Sequence, residues 1–166
     1  MSSAGIRLRP ASPEDLAWLA ALEQKPDYAR FLCAWPADRH AASLIDPHKR
    51  YLVFEDSAAN RCGFAILAGV GRRGRAIELV RIAVDRPGQG RGTAALRHLI
   101  GYVFDELGAM RLELDVFDDN ERARRAYRGL GFREEQVLHD AGRRQDGTLG
   151  NLVIMGMAAG ERPRAD

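Results

Sequence analysis

The chain has 166 residues, of which 46% are hydrophobic and 29% charged, and its formal net charge is +2. This length and apolar content predict a single domain with its own core, and the balanced charge gives no reason to expect a nucleic-acid partner. Cys33, Cys62 and the four histidines show neither metal-ligand nor disulfide spacing, so no metal and no disulfide framework is expected.

The N-terminal region predicts a short strand followed by helices. "MSSAGIRLRP" has no apolar run, and no segment of the chain reaches the roughly 18 apolar residues of a membrane span, so we expect a cytoplasmic protein without a membrane partner. "IRLRP" is strand-like and stops at Pro10, after which Ser12 can cap a helix with Pro13 at its first position. A less regular helical region follows over about 26–45 and is broken near Pro36.

The rest of the chain alternates strands and helices. "RYLVFED", "RCGFAILAGVG" and "AIELVRIAV" are apolar runs joined by polar turns, which indicates an antiparallel meander. A long amphipathic helix from Leu96 ends at Gly108, and "MRLELDVF" is the next strand. "DDNERARRAYRGLGF" predicts a short helix, and "FREEQVL" and "GNLVIMGM" predict two last strands. This order predicts an α/β (α+β) sheet with helices on its faces and a frayed tail over 159–166.

The stretch "DRPGQGRGTAAL" lies between the third run of the meander and the long helix. A helix that begins just after glycines points its unpaired N–H groups into the turn, where a phosphate can approach the backbone closely. Arg86 and Arg91 add positive charge on either side. The turn therefore favours an anion, and the alternative is a plain connector.

Three phosphate-binding motifs can be compared with this turn. A Walker loop is excluded because Arg91 stands where lysine is required. A dinucleotide turn of an oxidoreductase fits "GRGTAA", with Asp115 downstream for a ribose, but five residues separate the turn from its strand and too few strand–helix units follow. "QGRGTA", from Gln89 to Ala94, fits the third pattern, Gln-x-x-Gly-x-Ala.

Two motifs together resemble the GNAT family of N-acetyltransferases. "QGRGTA" is similar to that family's acetyl-CoA loop, and "LDVFDDNERARRAYRGLGFREE" is similar to its second signature. The matching residues of the second signature are Asn120, Ala123, Ala126, Tyr127, Gly131 and Phe132. The resemblance covers residues 63–157, and the closing part is loosely similar to the branch that acetylates ribosomal-protein N-termini and polyamines. It implies a GNAT domain over 1–158, with a mixed sheet of six to seven strands, splayed parallel strands at its middle and about four helices on both faces.

The resemblance also implies a reaction. The acetyl group of acetyl-CoA would pass to a primary amine by direct attack in a ternary complex, with the pyrophosphate on loop N–H groups and the pantetheine arm between the splayed strands "VRIAV" and "LELDV". The residues implied for the cofactor are Ile82, Ala83, Val84, Gln89, Gly90, Arg91, Gly92, Thr93, Ala94, Asn120, Ala123 and Tyr127. The alternative is a non-catalytic acyl-CoA-binding module.

The resemblance makes Tyr127 the candidate acid, since a phenol can protonate the leaving thiolate, although Tyr127 could also only pack its helix on the sheet. Glu78 and Asp115 are rival bases, either of which could act through a water chain. In a regular strand Glu78 shares a face with Ile82 and Val84 and would be desolvated, whereas a bulge would turn it to the other face. A salt bridge at the sheet edge is the alternative for Glu78.

The N-terminal helical region is expected to cover the acceptor, a small-molecule amine or a protein N-terminus. Tyr28, Phe31 and Trp35 would form apolar walls, and Asp27 and Asp38 are acids that would suit a cationic amine. The family resemblance also allows a homodimer.

Overall fold

Seven strands form one mixed sheet in the computed structural model, which describes residues 5–164. The strands are β1 (Arg7–Pro10), β2 (Lys49–Glu55), β3 (Arg61–Ala68), β4 (Ala76–Val84), β5 (Arg111–Phe117), β6 (Arg133–Arg143) and β7 (Leu149–Ala158). Their order is β1-β2-β3-β4-β5-β7-β6, and only β4 and β5 are parallel neighbours. The predicted meander and the parallel crossover after it are confirmed.

Helices cover both faces of the sheet. They are α1 (Leu16–Glu23), α2 (Pro26–Ala29), α3 (Ala37–Leu44), α4 (Arg91–Gly101) and α5 (Glu121–Gly129), and α4 continues into a π-helical turn over Tyr102–Glu106. Side chains of α1 to α3 pack on one face and those of α4 and α5 on the other. The region predicted as one broken helix gives the separate helices α2 and α3, so residues 5–164 form five α-helices where about four were expected.

The central strands are apolar at nearly every position because both of their faces are covered. In β3, the six residues from Cys62 to Leu67 are all buried. Phe64 and Ile66 face α1, while Ala65 and Leu67 face α4. The sheet is thus packed between two layers of helices.

Asp15 holds the start of α1 against the edge of the sheet. Ser12 caps a 3-10 turn over Pro13–Asp15 that leads directly into α1, and its N–H donates to Asp15 Oδ2 at 2.9 Å. Arg9 of β1 binds both carboxylate oxygens, with Nη1 and Nη2 at 2.8 and 2.9 Å, and Arg61 of β3 lies 3.3 Å from Oδ1. The Asp15 carboxylate is buried, and its hydrogen bonds with Arg9 hold its pKa well below the usual range although burial opposes them.

We expect Asp15→Asn to lower the free energy of unfolding at pH 7 by about 2 kcal/mol, because Arg9 then loses its buried charged partner. The folded pKa is depressed, so the wild-type contribution is complete above the unfolded pKa of about 3.9, declines below it and is lost as pH falls through the folded pKa. Urea unfolding at pH 7 and pH 3 should show a clear difference between the two proteins at pH 7 and a smaller one at pH 3. An equal difference at both pH values would contradict this account.

The predicted tail begins with defined contacts. Ala159–Glu161 forms a short 3-10 helix, Arg162 Nη1 donates to Asp105 Oδ1 at 2.6 Å, and the Pro163 ring lies against Gly131. Residues 165 and 166 lie outside the described part of the chain, and the division into a domain over 1–158 and a tail stays a prediction. No helix within residues 5–164 has the length and apolar character needed to span a membrane.

Candidate active site

The parallel strands β4 and β5 separate partway along their length. They pair only where Ala76, Ile77 and Glu78 lie beside Arg111, Leu112 and Glu113. Beyond Glu78 the strands diverge, and a cleft of about 550 Å³ opens between Leu79–Val84 and Leu114–Phe117. The predicted splayed pair is therefore confirmed.

A β-bulge re-aims the second half of β4. Arg81 lies opposite Ile66 and Leu79 opposite Leu67, so Val80 has no partner on β3. After the bulge Ile82 and Val84 pack on the same side as Leu79, the α4 side. Of the two arrangements expected for Glu78, the structure has the bulged one: the extra residue reverses the alternation, so Glu78 does not share a face with Ile82 and Val84.

The backbone of β4 presents free groups to the cleft. Asp85 N–H donates to Cys62 O of β3 at 2.8 Å, so by alternation the N–H and C=O groups of Val84 and Ile82 point away from β3, toward the gap left by β5. The Tyr28 hydroxyl occupies part of this edge, since it donates to Val84 O at 2.6 Å and accepts from Val84 N–H at 2.8 Å. The groups of Ile82 remain for a ligand.

The glycine-rich turn closes one end of the cleft. Gly88 and Gly90 have φ values of 92° and 77°, which residues with a Cβ rarely adopt, and α4 begins directly after Gly90. The first N–H groups of α4 have no partners within the helix and mark an anion site. Of the predicted loop residues, Gly90, Gly92 and Thr93 line the cleft together with Gly88, whereas Gln89, Arg91 and Ala94 do not. Arg91 Nη1 instead lies 3.4 Å from the carbonyl oxygen of Asp85.

Sequence reasoning missed Arg122, which reaches this turn from α5. Arg122 lines the cleft, and a Cβ placed on Gly88 would lie 3.6 Å from its Nη1. Its position two residues after Asn120, in the first turn of a helix facing the loop, is the signal that could have identified it. The Arg122 guanidinium thus adds a positive charge beside Gly88 of the turn.

Helix α5 supplies the other wall. Asn120 caps it, with its side-chain oxygen accepting from Ala123 N–H at 3.3 Å, and both residues line the cleft. Tyr127 also lines the cleft and is 8% exposed, with its ring edge-on to Phe132 at 5.7 Å between centroids. No hydrogen bond joins its hydroxyl to another of residues 5–164. Burial, together with the charge of Asp115, raises the pKa of Tyr127 well above the usual value, which keeps it protonated.

The two candidate bases differ in position. Asp115 lines the cleft and Glu78 does not. Burial raises the pKa of Asp115, and burial followed by repulsion from Asp115 and Glu113 raises that of Glu78. Both side chains keep contact with solvent, which moderates these shifts. The described residues form no salt bridge to Glu78.

Helix α2 and the segment after it cover the open side. Tyr28, Phe31 and Asp27 line the cleft, as does Leu32. Trp35 does not line it, because its ring stacks on the guanidinium of Arg81, 4.1 Å from the ring centroid. Asp38 is likewise absent from the cleft wall. Within residues 5–164 no three His, Cys, Asp or Glu side chains are grouped as metal ligands.

This sheet and cleft define a class of protein, the acyl-CoA-dependent acyltransferases. Comparison with known proteins agrees with that class. The model of the acetyltransferase (GNAT) family matches residues 12–132. The chain belongs to this family, as its two motifs predicted.

Individual relatives are polyamine enzymes by name. The spermidine N(1)-acetyltransferase of Escherichia coli (strain K12) is 28% identical over 149 residues, which are 84% of this chain and 79% of the relative. A spermidine N-acetyltransferase from Vibrio cholerae, solved with CoA and spermine, superposes with a TM-score of 0.81 at 21% identity over 94% of this chain and 96% of that one. A chimeric spermidine N-acetyltransferase from Vibrio cholerae gives a TM-score of 0.81 at 22% identity over 93% and 96%. These structures confirm the fold.

Proposed function

We propose that the cleft holds acetyl-CoA along β4 and that the acceptor is a primary amine of a polyamine such as spermidine. Acetyl transfer to an amine is the activity of the family, and this chain is an acetyltransferase of that kind. The observation that carries the proposal is the separation of β4 from β5, which leaves the backbone edge of Ile82 and Val84 unpaired with β5 beside a helix N-terminus.

The donor site follows from the backbone. The unpaired N–H groups at the start of α4 would take the pyrophosphate, and Arg122 would add a charged donor to it. The pantetheine arm would run along Val84 to Ile82 as a substitute strand. Ala83, on the opposite face, packs on the α1 side and does not obstruct it. An N–H near Ile82 would polarise the thioester carbonyl.

The chemistry needs a base and an acid on opposite sides of the carbonyl. The amine nitrogen bonds to the acetyl carbon, the C–S bond breaks, and the electron pair leaves on sulfur. Asp115 would take the proton that the amine loses, directly or through water, and Tyr127 would give its proton to the thiolate. Asp115 is favoured over Glu78 because it lines the cleft.

The acceptor side suits a cationic amine. Asp27 and Asp115 line the cleft together with the aromatic rings of Tyr28 and Phe31. Carboxylates attract an extended cation, and the methylene groups between its amines can pack on the rings. The names of the relatives support a polyamine over the alternative acceptor, a protein N-terminus.

We expect Tyr28→Phe to tighten CoA binding by roughly threefold to tenfold, the equivalent of one net hydrogen bond. In the free protein the Tyr28 hydroxyl occupies both backbone groups of Val84, and the pantetheine arm must displace it. Isothermal titration with CoA measures the change in dissociation constant. Tyr102→Phe, in the π-helical turn after α4, is the matched control and should leave the constant unchanged. Weaker binding by Tyr28→Phe would mean that this hydroxyl helps to hold the cofactor.

Initial-rate kinetics test the proposed reaction. Direct attack in a ternary complex predicts intersecting lines when acetyl-CoA and spermidine are varied together, whereas an acetyl-enzyme route gives parallel lines. Turnover with peptide N-termini and none with any polyamine would overturn the acceptor. Tight acetyl-CoA binding without turnover on any amine would instead favour the acyl-CoA-binding module.

A cytoplasmic location, the absence of a metal and a homodimer belong to the same proposal. The lack of disulfide spacing supports the first, the lack of metal-ligand spacing supports the second, and the family resemblance supports the third.

A further inference from the structure

The segment 30–36, here called the acceptor loop, has no regular secondary structure, yet side chains from distant elements hold its backbone. Arg81 Nη2 donates to Cys33 O at 2.6 Å, and Trp35 N–H lies 3.4 Å from Glu23 Oε1. From the other side, Ala34 N–H donates to Gln145 Oε1 at 3.1 Å, and Arg144 Nη1 lies 3.4 Å from Arg30 O. The loop carries Phe31 and Leu32, which line the cleft.

Arg81 is the buried anchor of this loop. It directly follows the bulge in β4, is 8% exposed, and donates from Nη1 to Glu23 Oε2 at 2.7 Å. Its guanidinium also stacks on Trp35, 4.1 Å from the ring centroid. Arg81 therefore connects β4, which borders the donor site, to helix α1 and to Cys33 and Trp35 of the acceptor loop.

Glu23 is held in turn by buried partners. His40 Nε2 lies 2.5 Å from Glu23 Oε1, and His40 Nδ1 lies 2.9 Å from the Tyr51 hydroxyl. Glu23 and His40 are 1% and 0% exposed, so Arg81 meets a carboxylate that is itself fixed in position. A charged network of this kind is costly to bury and rigid once it is complete.

The geometry of Arg81 departs from what stability alone would favour. Its Nε is buried and has no hydrogen-bond partner among residues 5–164. A buried hydrogen-bond donor without a partner lowers the stability of the fold. Unpaired donors of this kind are found mainly where function constrains the position of a side chain. The guanidinium keeps its two terminal nitrogens on Glu23 and Cys33 and leaves Nε unpaired.

We propose that Arg81 is a positioning residue of the transferase: it fixes the acceptor loop, and through it Phe31 and Leu32, against the strand that borders the donor. Arg81 borders the cleft itself, and it acts on the acceptor side because its hydrogen bonds and its ring contact lie with α1 and the loop. No hydrogen bond within residues 5–164 joins it to the glycine-rich turn or to α5. This inference rests on the proposed function, in which the loop borders the acceptor.

The test compares Arg81→Met and Arg81→Lys with wild type, using spermidine as acceptor and acetyl-CoA as donor. Side chains misplaced by about 1 Å in an active site can lower the catalytic rate by up to roughly 100-fold. We therefore expect the KM for spermidine to rise tenfold or more in Arg81→Met. Arg81→Lys keeps the charge near Glu23 but cannot reach Glu23 and Cys33 together, so it should be intermediate. The Kd of acetyl-CoA, measured by titration, should stay within about twofold in both variants.

Arg61→Met is the matched control, because Arg61 also stacks on a tryptophan, Trp18, and pairs with an acid, Asp15, away from the cleft. It should lower thermal stability without changing the KM for spermidine. Hydrogen exchange at Ala34 and Trp35 gives a readout that needs no acceptor: it should accelerate in both Arg81 variants and not in Arg61→Met.

Unchanged exchange and an unchanged KM in Arg81→Lys would overturn the inference, as would a loss of acetyl-CoA affinity as large as the loss in KM. If Arg81→Met does not fold, Arg81→Lys decides. If wild type does not acetylate spermidine, the proposed acceptor fails, and the exchange rates alone decide the role of Arg81.

Discussion

Replacement of Tyr127 by phenylalanine is expected to lower kcat by roughly 100-fold to 1,000-fold, the usual contribution of a positioned general acid. The Kd of acetyl-CoA should change by no more than about twofold, since the lost hydroxyl acts on the sulfur only as the C–S bond breaks. Pre-steady-state measurement of thiol release would report the chemical step directly.

The physical reason lies in the environment of the hydroxyl. Tyr127 lines the cleft with a pKa raised by burial, so it holds its proton at neutral pH and is available as a donor. No other residue among 5–164 binds this hydroxyl, which leaves it free for the thiolate. The phenylalanine ring keeps the packing against Phe132, so folding should be unaffected.

Tyr102→Phe, outside the cleft wall, controls for the loss of a phenol hydroxyl from a partly buried tyrosine and should retain wild-type kcat. An unchanged kcat in Tyr127→Phe would remove the acid role and leave Tyr127 as a packing residue. A fall in acetyl-CoA affinity that matches the fall in turnover would assign its hydroxyl to cofactor binding instead.

The second large effect concerns the base. We expect Asp115→Asn to lower kcat/KM for spermidine by roughly 100-fold, and Glu78→Gln to have a smaller effect, because general-base catalysis contributes most from a group within reach of the amine. Asp115 lines the cleft, and Glu78 lies beside Glu113 where the strands still pair.

The pH profile separates the two acids. Burial raises the pKa of Asp115, so the wild-type base is protonated and inactive below that raised pKa, and kcat/KM falls as pH falls through it. This acidic limb should disappear in Asp115→Asn and persist in Glu78→Gln.

The reverse pattern, with the limb lost only in Glu78→Gln, would make Glu78 the base acting through water. If neither variant loses the acidic limb, the amine gives its proton to solvent and not to Asp115 or Glu78. Glu113→Gln is a suitable control, since Glu113 shares the charge environment but forms a salt bridge with Arg111 at 3.1 Å.

The sequence predicted the sheet and the position of the glycine-rich turn well because their signals are local. Each apolar run, each helix stop and the glycine turn can be recognised within about ten residues of sequence. The order of the predicted elements is compatible with only a few sheet topologies. The glycine turn and Asn120 were identified in this way.

The contacts on the acceptor side could not be predicted, because their partners are remote in sequence. Arg81 and Glu23 are 58 residues apart, and Tyr28 and Val84 are 56 apart. The bulge at Val80 adds one residue that leaves no mark in an apolar run, yet it decides which face Glu78 occupies. Trp35 was expected in the cleft wall because it is large and apolar, and its stacking on Arg81 shows only in three dimensions.

The central claim is that this cleft transfers an acetyl group from acetyl-CoA to an amine. The most direct measurement incubates the protein with acetyl-CoA and spermidine, counts released thiol and identifies the product by mass spectrometry. The account predicts one N-acetylated spermidine for each thiol released, and no such product with Tyr127→Phe on the same time scale. Acetyl-CoA binding with no acetylated product from spermidine or any other amine would contradict it.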